Sequence, residues 1–245
     1  MRKIVIFGAT SAIAAAAARC MAERGAELFL VGRSEEKLLA VKNDLKVRGA
    51  ARLEHAVADL ADTAGHAALL EQLKERMPDF DSVLLAYGVL GDQKVCEQSF
   101  EETENQLRVN FLSAISLVSR LAGFFEAQRR GTIAVITSVA GDRGRKSNYI
   151  YGTAKGALGI YLQGLRNRLH ASGVRVVTFK PGFVDTPMTA SFKKGLLFVK
   201  PEVVGRGICR ALEGKGDVVY LPWFWRLIML VIKLIPERLF KRMSI

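Results

Sequence analysis

The chain has 245 residues, 50% hydrophobic and 8% aromatic, a composition that excludes a disordered protein and suits one large α/β domain. Its three cysteines, Cys20, Cys96 and Cys209, are odd in number and far apart, which reads as free thiols in a reducing cytoplasm, and its three histidines share no ligand spacing with them, so no metal is expected. The formal net charge is +12, concentrated from Lys193 onward, where 11 Lys/Arg stand against 4 Asp/Glu; with apolar residues interleaved and no regular basic stripe, this points to a membrane surface and not to nucleic acid.

Residues 3–7 predict a first strand, closed by Gly8. The basic Met1-Arg2-Lys3 and the alanine-rich run up to Cys20 resemble a signal peptide, but cleavage there would remove this strand and its turn, so the segment is read as part of the domain. A helix over 11–23 and a strand over 28–31 follow, then Gly32-Arg33-Ser34 and a second helix reaching about Gly49. The third strand, 52–57, precedes Asp59-Leu60. A helix over 63–77 stops at Pro78, and a fourth strand over 82–86 turns at Tyr87-Gly88. One long helix, or two in tandem, covers 100–125. Beyond it lie a strand at 132–137, a helix at 148–170, a strand at 175–180 and the Pro181-Gly182 loop. A helix at 201–212 and a seventh strand at 217–220 complete the series. Strands alternating with helices imply βαβ units and a parallel sheet covered on both faces. The expected fold is therefore α/β, a Rossmann-type doubly wound seven-stranded domain over residues 1–220 with an amphipathic tail over 221–245.

The first strand–turn–helix carries Gly8-Ala9-Thr10-Ser11-Ala12-Ile13-Ala14. A dinucleotide needs a tight turn here so that its pyrophosphate can rest on backbone N–H groups at the helix start. Alanines stand at 12 and 14 where glycine is common; Ala14 suits close helix–strand packing, whereas Ala12 adds a methyl beside the phosphates. An acid after the second strand would accept the ribose 2′-hydroxyl of NAD(H). Arg33 and Ser34 suit a 2′-phosphate instead, so NADP(H) is expected over NAD(H). Asp59 is placed to accept from the adenine amino group.

Ser138 closes the fifth strand, and Tyr151 and Lys155 are i and i+4 on the following helix, hence on one face. A hydroxyl, a phenol and an ammonium converging on one point handle a proton for a carbonyl or alcohol. Tyr149 is a neighbouring phenol on another helical face.

In this ordered set the sequence resembles the short-chain dehydrogenase/reductase family over residues 3–220: the Gly8 turn, Asp59-Leu60, Asn110, Ser138, Tyr151-x3-Lys155, and Pro181-Gly182 followed by Thr186. The resemblance implies a ketone–alcohol oxidoreductase. Its catalytic set would be Asn110, Ser138, Tyr151 and Lys155. Tyr151 would be the proton donor, Lys155 would lower its pKa and hold the nicotinamide ribose, and Ser138 would bind the substrate oxygen. Asn110 would sustain a backbone irregularity in the long helix and a proton relay. The cofactor would contact Gly8, Thr10, Ser11, Ala12, Ile13, Arg33, Asp59, Leu60, Ala86, Gly88, Tyr151, Lys155, Pro181, Gly182, Val184 and Thr186. A homodimer through 100–125 and 148–170 is implied as well. The sequence departs from the family's usual Asn-Asn-Ala-Gly with Leu85-Ala86-Tyr87-Gly88, which puts adenine-side contacts in question.

Three segments, 88–93, 138–143 and 148–155, are similar to those of decaprenylphosphoryl-2-keto-ribose reductases, which implies a lipid-linked keto sugar as substrate. Arg143, Arg145 and Lys146 at the mouth of the site, with Lys193 and Lys194, would then meet its phosphodiester. The apolar run 227–232 is too short to span a bilayer. Arg226, Lys233, Glu237 and Lys241 step along one face, and Trp223, Phe224 and Trp225 crowd the start, which predicts an in-plane helix at the inner membrane face, with a kink at Pro236. Packing of this helix on its own domain or on a dimer mate is the other reading. A fatty or sphingoid keto-lipid reductase, or a non-catalytic nucleotide sensor on the same fold, are the alternatives in function.

Overall fold

Strand β1 (Lys3–Phe7) shows why the sheet is buried on both sides: Val5 and Phe7 point into one apolar layer, Ile4 and Ile6 into the other. The computed structural model describes residues 2–243. It contains one sheet of seven parallel strands in the order β3-β2-β1-β4-β5-β6-β7. The other strands are β2 (Glu27–Gly32), β3 (Arg52–Val57), β4 (Ser82–Leu85), β5 (Gly131–Ile136), β6 (Val174–Pro181) and β7 (Val218–Leu221). This is the doubly wound fold expected from the strand–helix alternation.

Helices α1 (Ala12–Ala22) and α2 (Glu35–Val47) start at serine caps: Ser11 Oγ accepts from Ala14 N at 3.2 Å, and Ser34 Oγ from Lys37 N at 3.3 Å. They cover one face of the sheet together with α8 (Pro201–Glu213), through Ala14, Ala17, Leu38 and Ile208. The opposite face is covered by α3 (His66–Arg76), α6 (Ser113–Gln128) and α7 (Tyr149–His170), through Leu73, Leu117, Leu121, Leu158 and Leu162.

Between β4 and α6 the chain departs from the sequence reading. A short helix, α4 (Gln93–Gln98), went unread, although Asp92 is a good start signal and its carboxylate accepts from Lys94 N at 2.8 Å. The long helix expected over 100–125 is α5 (Phe100–Leu107) and α6, joined without a break by a π-helical turn, Arg108–Leu112. Asn110 lies in that turn. The helix expected from residue 63 begins only at His66, because Thr63 to Gly65 form a turn.

The tail is part of the domain. The boundary expected at 220/221 falls inside β7, and α9 (Trp225–Leu234) packs directly against the body. A ten-residue helix is marginal in water on its own. Here Trp225 and Met229 are fully buried beside Val139, Phe183 and Tyr220, and the Trp225 ring lies directly on Gly182. Each such side chain contributes about 1.5–3 kcal/mol by leaving water. The charged face expected to run from Arg226 to Lys241 does not form, because the chain breaks at Ile235-Pro236 before the single turn of α10 (Glu237–Phe240). Ser244 and Ile245 of the expected tail lie outside the described residues.

Gly205 lets α8 touch α1: a Cβ there would lie 2.6 Å from Ala16 C and 2.7 Å from Ala17 N. Both neighbours are backbone and cannot step aside. Gly205→Val should cost about 1–3 kcal/mol, a fall in Tm of roughly 3–10 °C for a domain of this size. Calorimetry of the two proteins checks this; an unchanged Tm would contradict the packing.

Candidate active site

The carboxyl ends of β1, β4, β5 and β6 open onto a cavity of about 390 Å³. In the turn after β1, Gly8 does not itself line the cavity; it adopts φ +81°, a left-handed conformation open to glycine, and a Cβ there would lie 2.7 Å from Tyr87 Cβ. The Gly8 and Ala9 N–H groups donate to Val31 O at 2.9 and 3.0 Å, which closes the turn. Thr10, Ser11, Ala12 and Ile13 then line the cavity wall. A helix leaves the amides of its first turn without intrahelical partners, so this wall is a set of N–H donors that fits a pyrophosphate.

Arg33, Asp59 and Leu60 lie outside the lining of this cavity. Arg33 is exposed directly after β2, and an Asp59 carboxylate oxygen accepts from Ala61 N at 3.0 Å. Leu60 is a core side chain, and its carbonyl is bonded to His66 Nε2 at 3.1 Å. Lys37 does line the cavity and escaped the sequence reading; the signal was a basic residue in the first turn of the helix after Gly32-Arg33-Ser34. Tyr87, the departure from the family pattern, packs under Gly8 and bonds to Ser113 Oγ at 2.8 Å; burial pushes its phenol well above the ordinary value.

The other end of the cavity depends on a tight contact. Ser138, in extended backbone, caps the 3-10 turn Val139–Gly141, its Oγ accepting from Ala140 N at 3.1 Å. That turn rests on α7. A Cβ at Gly141 would lie 2.6 Å from Gly156 N, one at Gly156 would lie 2.9 Å from Gly141 O, and one at Gly152 would lie 2.8 Å from Ala140 O. The structure thereby brings Ser138, Tyr151 and Lys155 to one wall of the cavity. Lys155 Nζ stands 5.8 Å from the centre of the Tyr151 ring and donates a long hydrogen bond, 3.4 Å, to Ile136 O. Burial pulls Lys155 down to about 8 and pushes Tyr151 up to about 12, with the Ser138 hydroxyl acting the other way on the phenol. Tyr149 is exposed and outside the lining.

Asn110 stands behind this wall. Its Nδ2 donates to Val89 O at 2.9 Å and to Gln106 O at 3.1 Å, and its Oδ1 accepts from Val89 N at 3.1 Å. A Cβ on Gly88 would meet Asn110 Oδ1 at 2.6 Å and Lys155 Nζ at 3.1 Å, so the amide and the ammonium converge on one backbone point. Ala86, Gly88, Pro181, Gly182, Val184 and Thr186 complete the expected cofactor contacts that do line the cavity.

The five cations assigned to the substrate part company. Arg143 is spent on the tail: it donates to the Ile232 and Ile235 carbonyls, pairs with Glu237 at 3.0 Å and stacks over Phe240 at 3.7 Å. Lys194 pairs with Asp185 at 2.6 Å, and Lys146 and Lys193 are exposed; none of these three lines the cavity. Arg145 alone of the five does.

The short chain dehydrogenase family profile matches residues 2–196. The chain belongs to this family. An uncharacterised oxidoreductase of Mycobacterium tuberculosis is 34% identical over 240 residues, 98% of this chain and 96% of that one. Another from Streptomyces coelicolor is 31% identical over 245 residues, 100% and 96% of the two chains. Among solved structures, a short chain dehydrogenase from Burkholderia cenocepacia in complex with NADP superposes with a TM-score of 0.83 at 20% identity, covering 99% of this chain and 98% of the other. Levodione reductase does so with 0.83 at 21% identity, covering 92% and 98%. This short chain dehydrogenase is thus an oxidoreductase of a family that exchanges hydride between a nicotinamide cofactor and a ketone–alcohol pair. The two curated relatives are described as oxidoreductases with no substrate named.

Because Lys155 is depressed in the fold, the unfolded chain binds a proton that the native protein has lost between pH 8 and the ordinary lysine value of 10.5. Its charge therefore destabilises the native state at low pH, and this penalty fades as pH rises through that window. Against Lys155→Met, the wild-type protein should gain Tm between pH 7.5 and 9.5. Thermal denaturation at both pH values reads the difference; a gap independent of pH would contradict the burial argument.

Proposed function

We propose that the enzyme reduces a ketone to a secondary alcohol with NADP(H) in preference to NAD(H), on an amphiphilic, lipid-linked keto substrate. The observation that carries this reading is the single cavity whose walls hold both the α1 amide donors and the Ser138, Tyr151 and Lys155 side chains. A bound nicotinamide supplies the hydride. Ser138 holds the substrate oxygen, Tyr151 delivers the proton to it as charge develops, and Lys155 beside the phenol eases that transfer. Asn110 holds the Val89 backbone next to Gly88, the point on which Lys155 converges.

Arg33 and Lys37 in place of an acid support the choice of NADP(H), and the solved relative from Burkholderia cenocepacia carries NADP. The outer face of α9 supports a lipid-linked substrate of the decaprenylphosphoryl-keto sugar type. Leu227, Leu230, Val231 and Leu234 are all more than half exposed and share one helical side, with Arg226 and Lys233 beside them. On this reading α9 is anchored to the domain by one side and rests on a membrane by the other. Exposed Phe100 and Ile160 support a homodimer across α5 and α7.

NADPH should raise the Tm of the protein more than NADH at equal concentration. Tyr151→Phe should keep the NADPH-induced shift while kcat with a ketone falls by about 10²–10⁴; retained turnover would remove the assignment. For the membrane face, Leu230→Glu with Leu234→Glu should abolish co-sedimentation with vesicles containing anionic lipid and leave Tm unchanged. Wild-type protein that stays in the supernatant would refute it.

A further inference from the structure

Two buried cations line the cavity, Lys155 and Arg145, 5% and 7% exposed, and among the described residues no aspartate or glutamate lines it with them. Lys155 has a task in the proposed proton transfer. Arg145 has none. A guanidinium offers five N–H donors, yet among the described residues its one hydrogen bond runs from Nη2 to the Met229 sulfur at 3.3 Å, a weak acceptor. Its Nε is buried and without a partner. Asp142, three residues earlier, cannot serve: its carboxylate is taken by Lys180 and by the Tyr220 hydroxyl, the latter at 2.6 Å. Burial pulls the guanidinium below its ordinary range, only partly offset by Asp142.

A buried charge left this way is costly, and folds ordinarily pair it. The surroundings hold it in place nonetheless. Arg145 sits in the loop between Ser138 and α7; Met229 of α9 covers it, and α9 is itself fixed by Trp225 on Gly182 and by Arg143 on the last carbonyls of the helix. Asn148, three residues on, lines the same wall, and its buried side-chain oxygen also lacks a partner. One wall thus carries a desolvated donor fork and, beside it, a free acceptor.

We propose that Arg145 binds an oxyanion of the substrate, a phosphate ester or a carboxylate carried near the reacting carbonyl, and that Asn148 accepts from a hydroxyl next to it. The inference rests on the ketone-reductase reading and narrows its substrate to an anionic, hydroxylated ketone. Arg145 supplies charge-assisted, forked hydrogen bonds in a dry site, which a neutral ketone cannot use.

The test uses matched ketones that differ in charge: dihydroxyacetone phosphate against dihydroxyacetone, and acetoacetate against methyl acetoacetate, with NADPH consumption as the readout. For wild-type enzyme kcat/KM should favour the anionic member of one pair, and the pair that responds tells phosphate from carboxylate. Arg145→Met should lower the anionic-to-neutral ratio by about 10- to 100-fold, the loss expected for one hydrogen bond to a charged group. Its Tm without ligand should be no lower than that of wild type, since an unpaired charge has gone. A ratio unchanged by the substitution, or a lowered Tm with equal loss on both members, overturns the proposal. An independent arm reads Tm of the NADP-saturated protein in inorganic phosphate or acetate against chloride at equal ionic strength. A rise in wild type that Arg145→Met abolishes supports the anion site even if no ketone is turned over, an outcome that would count against the reductase reading alone. No rise with either anion, together with an unchanged ratio, defeats the site. Should Arg145→Met fail to fold, Arg145→Lys takes its place, with a smaller but measurable fall in the ratio.

Discussion

The site depends on a contact between two stretches of backbone. The turn after Ser138 lies against α7 at Gly141, Gly152 and Gly156, closer than any side chain at those positions would permit. Ser138 comes from a strand end and Tyr151 and Lys155 from a helix, so nothing local holds them together. The glycine contact does. It fixes the height of the serine over the helix, and the rest of the arrangement follows: Lys155 ends near Ile136 O, Gly88 closes against Lys155 and Asn110, and the π-helical turn projects Asn110 to meet them. Interiors are close-packed and do not deform continuously, so a methyl inserted at this contact displaces Ser138, Tyr151 or Lys155 instead of being absorbed.

Much of this was legible in the sequence, and the reasons differ from residue to residue. Tyr151 and Lys155 were legible because helical periodicity puts i and i+4 on one face. The inner strands were legible because strands buried on both sides are largely apolar runs, as in residues 3–7 and 28–31, whereas the edge strand β3, with Arg52, Glu54 and His55, rested on its place in the strand–helix alternation. The irregularity at Asn110 came from resemblance and could not have come from periodicity, since the helix on either side runs on without a break signal. Helix α4 was missed because six residues give no measurable period, and only Asp92 marked its start.

The loop residues show where reading stops. Arg143 and Arg145 are two positions apart, equally basic and equally near the site in sequence. One binds the carbonyls that end α9; the other faces the cavity with almost no partner. An irregular loop has no period from which to assign faces, and the element that decides the matter, α9, arrives some 80 residues later in the chain. The tail was legible in composition but not in disposition. Its apolar residues serve two sides, Trp225 and Met229 inward and Leu230 and Leu234 outward, and the break before Pro236 prevents the charges from forming one stripe.

The family match ends at residue 196, whereas the wall that covers Arg145 is built by Met229. The part of the chain that carries the family pattern and the part that covers Arg145 are therefore different stretches of sequence, joined through contacts at Gly182 and Arg143. A chain built this way can reshape one wall of its cavity by altering one late helix, while the backbone contact that sets Ser138 against Tyr151 and Lys155 stays as it is.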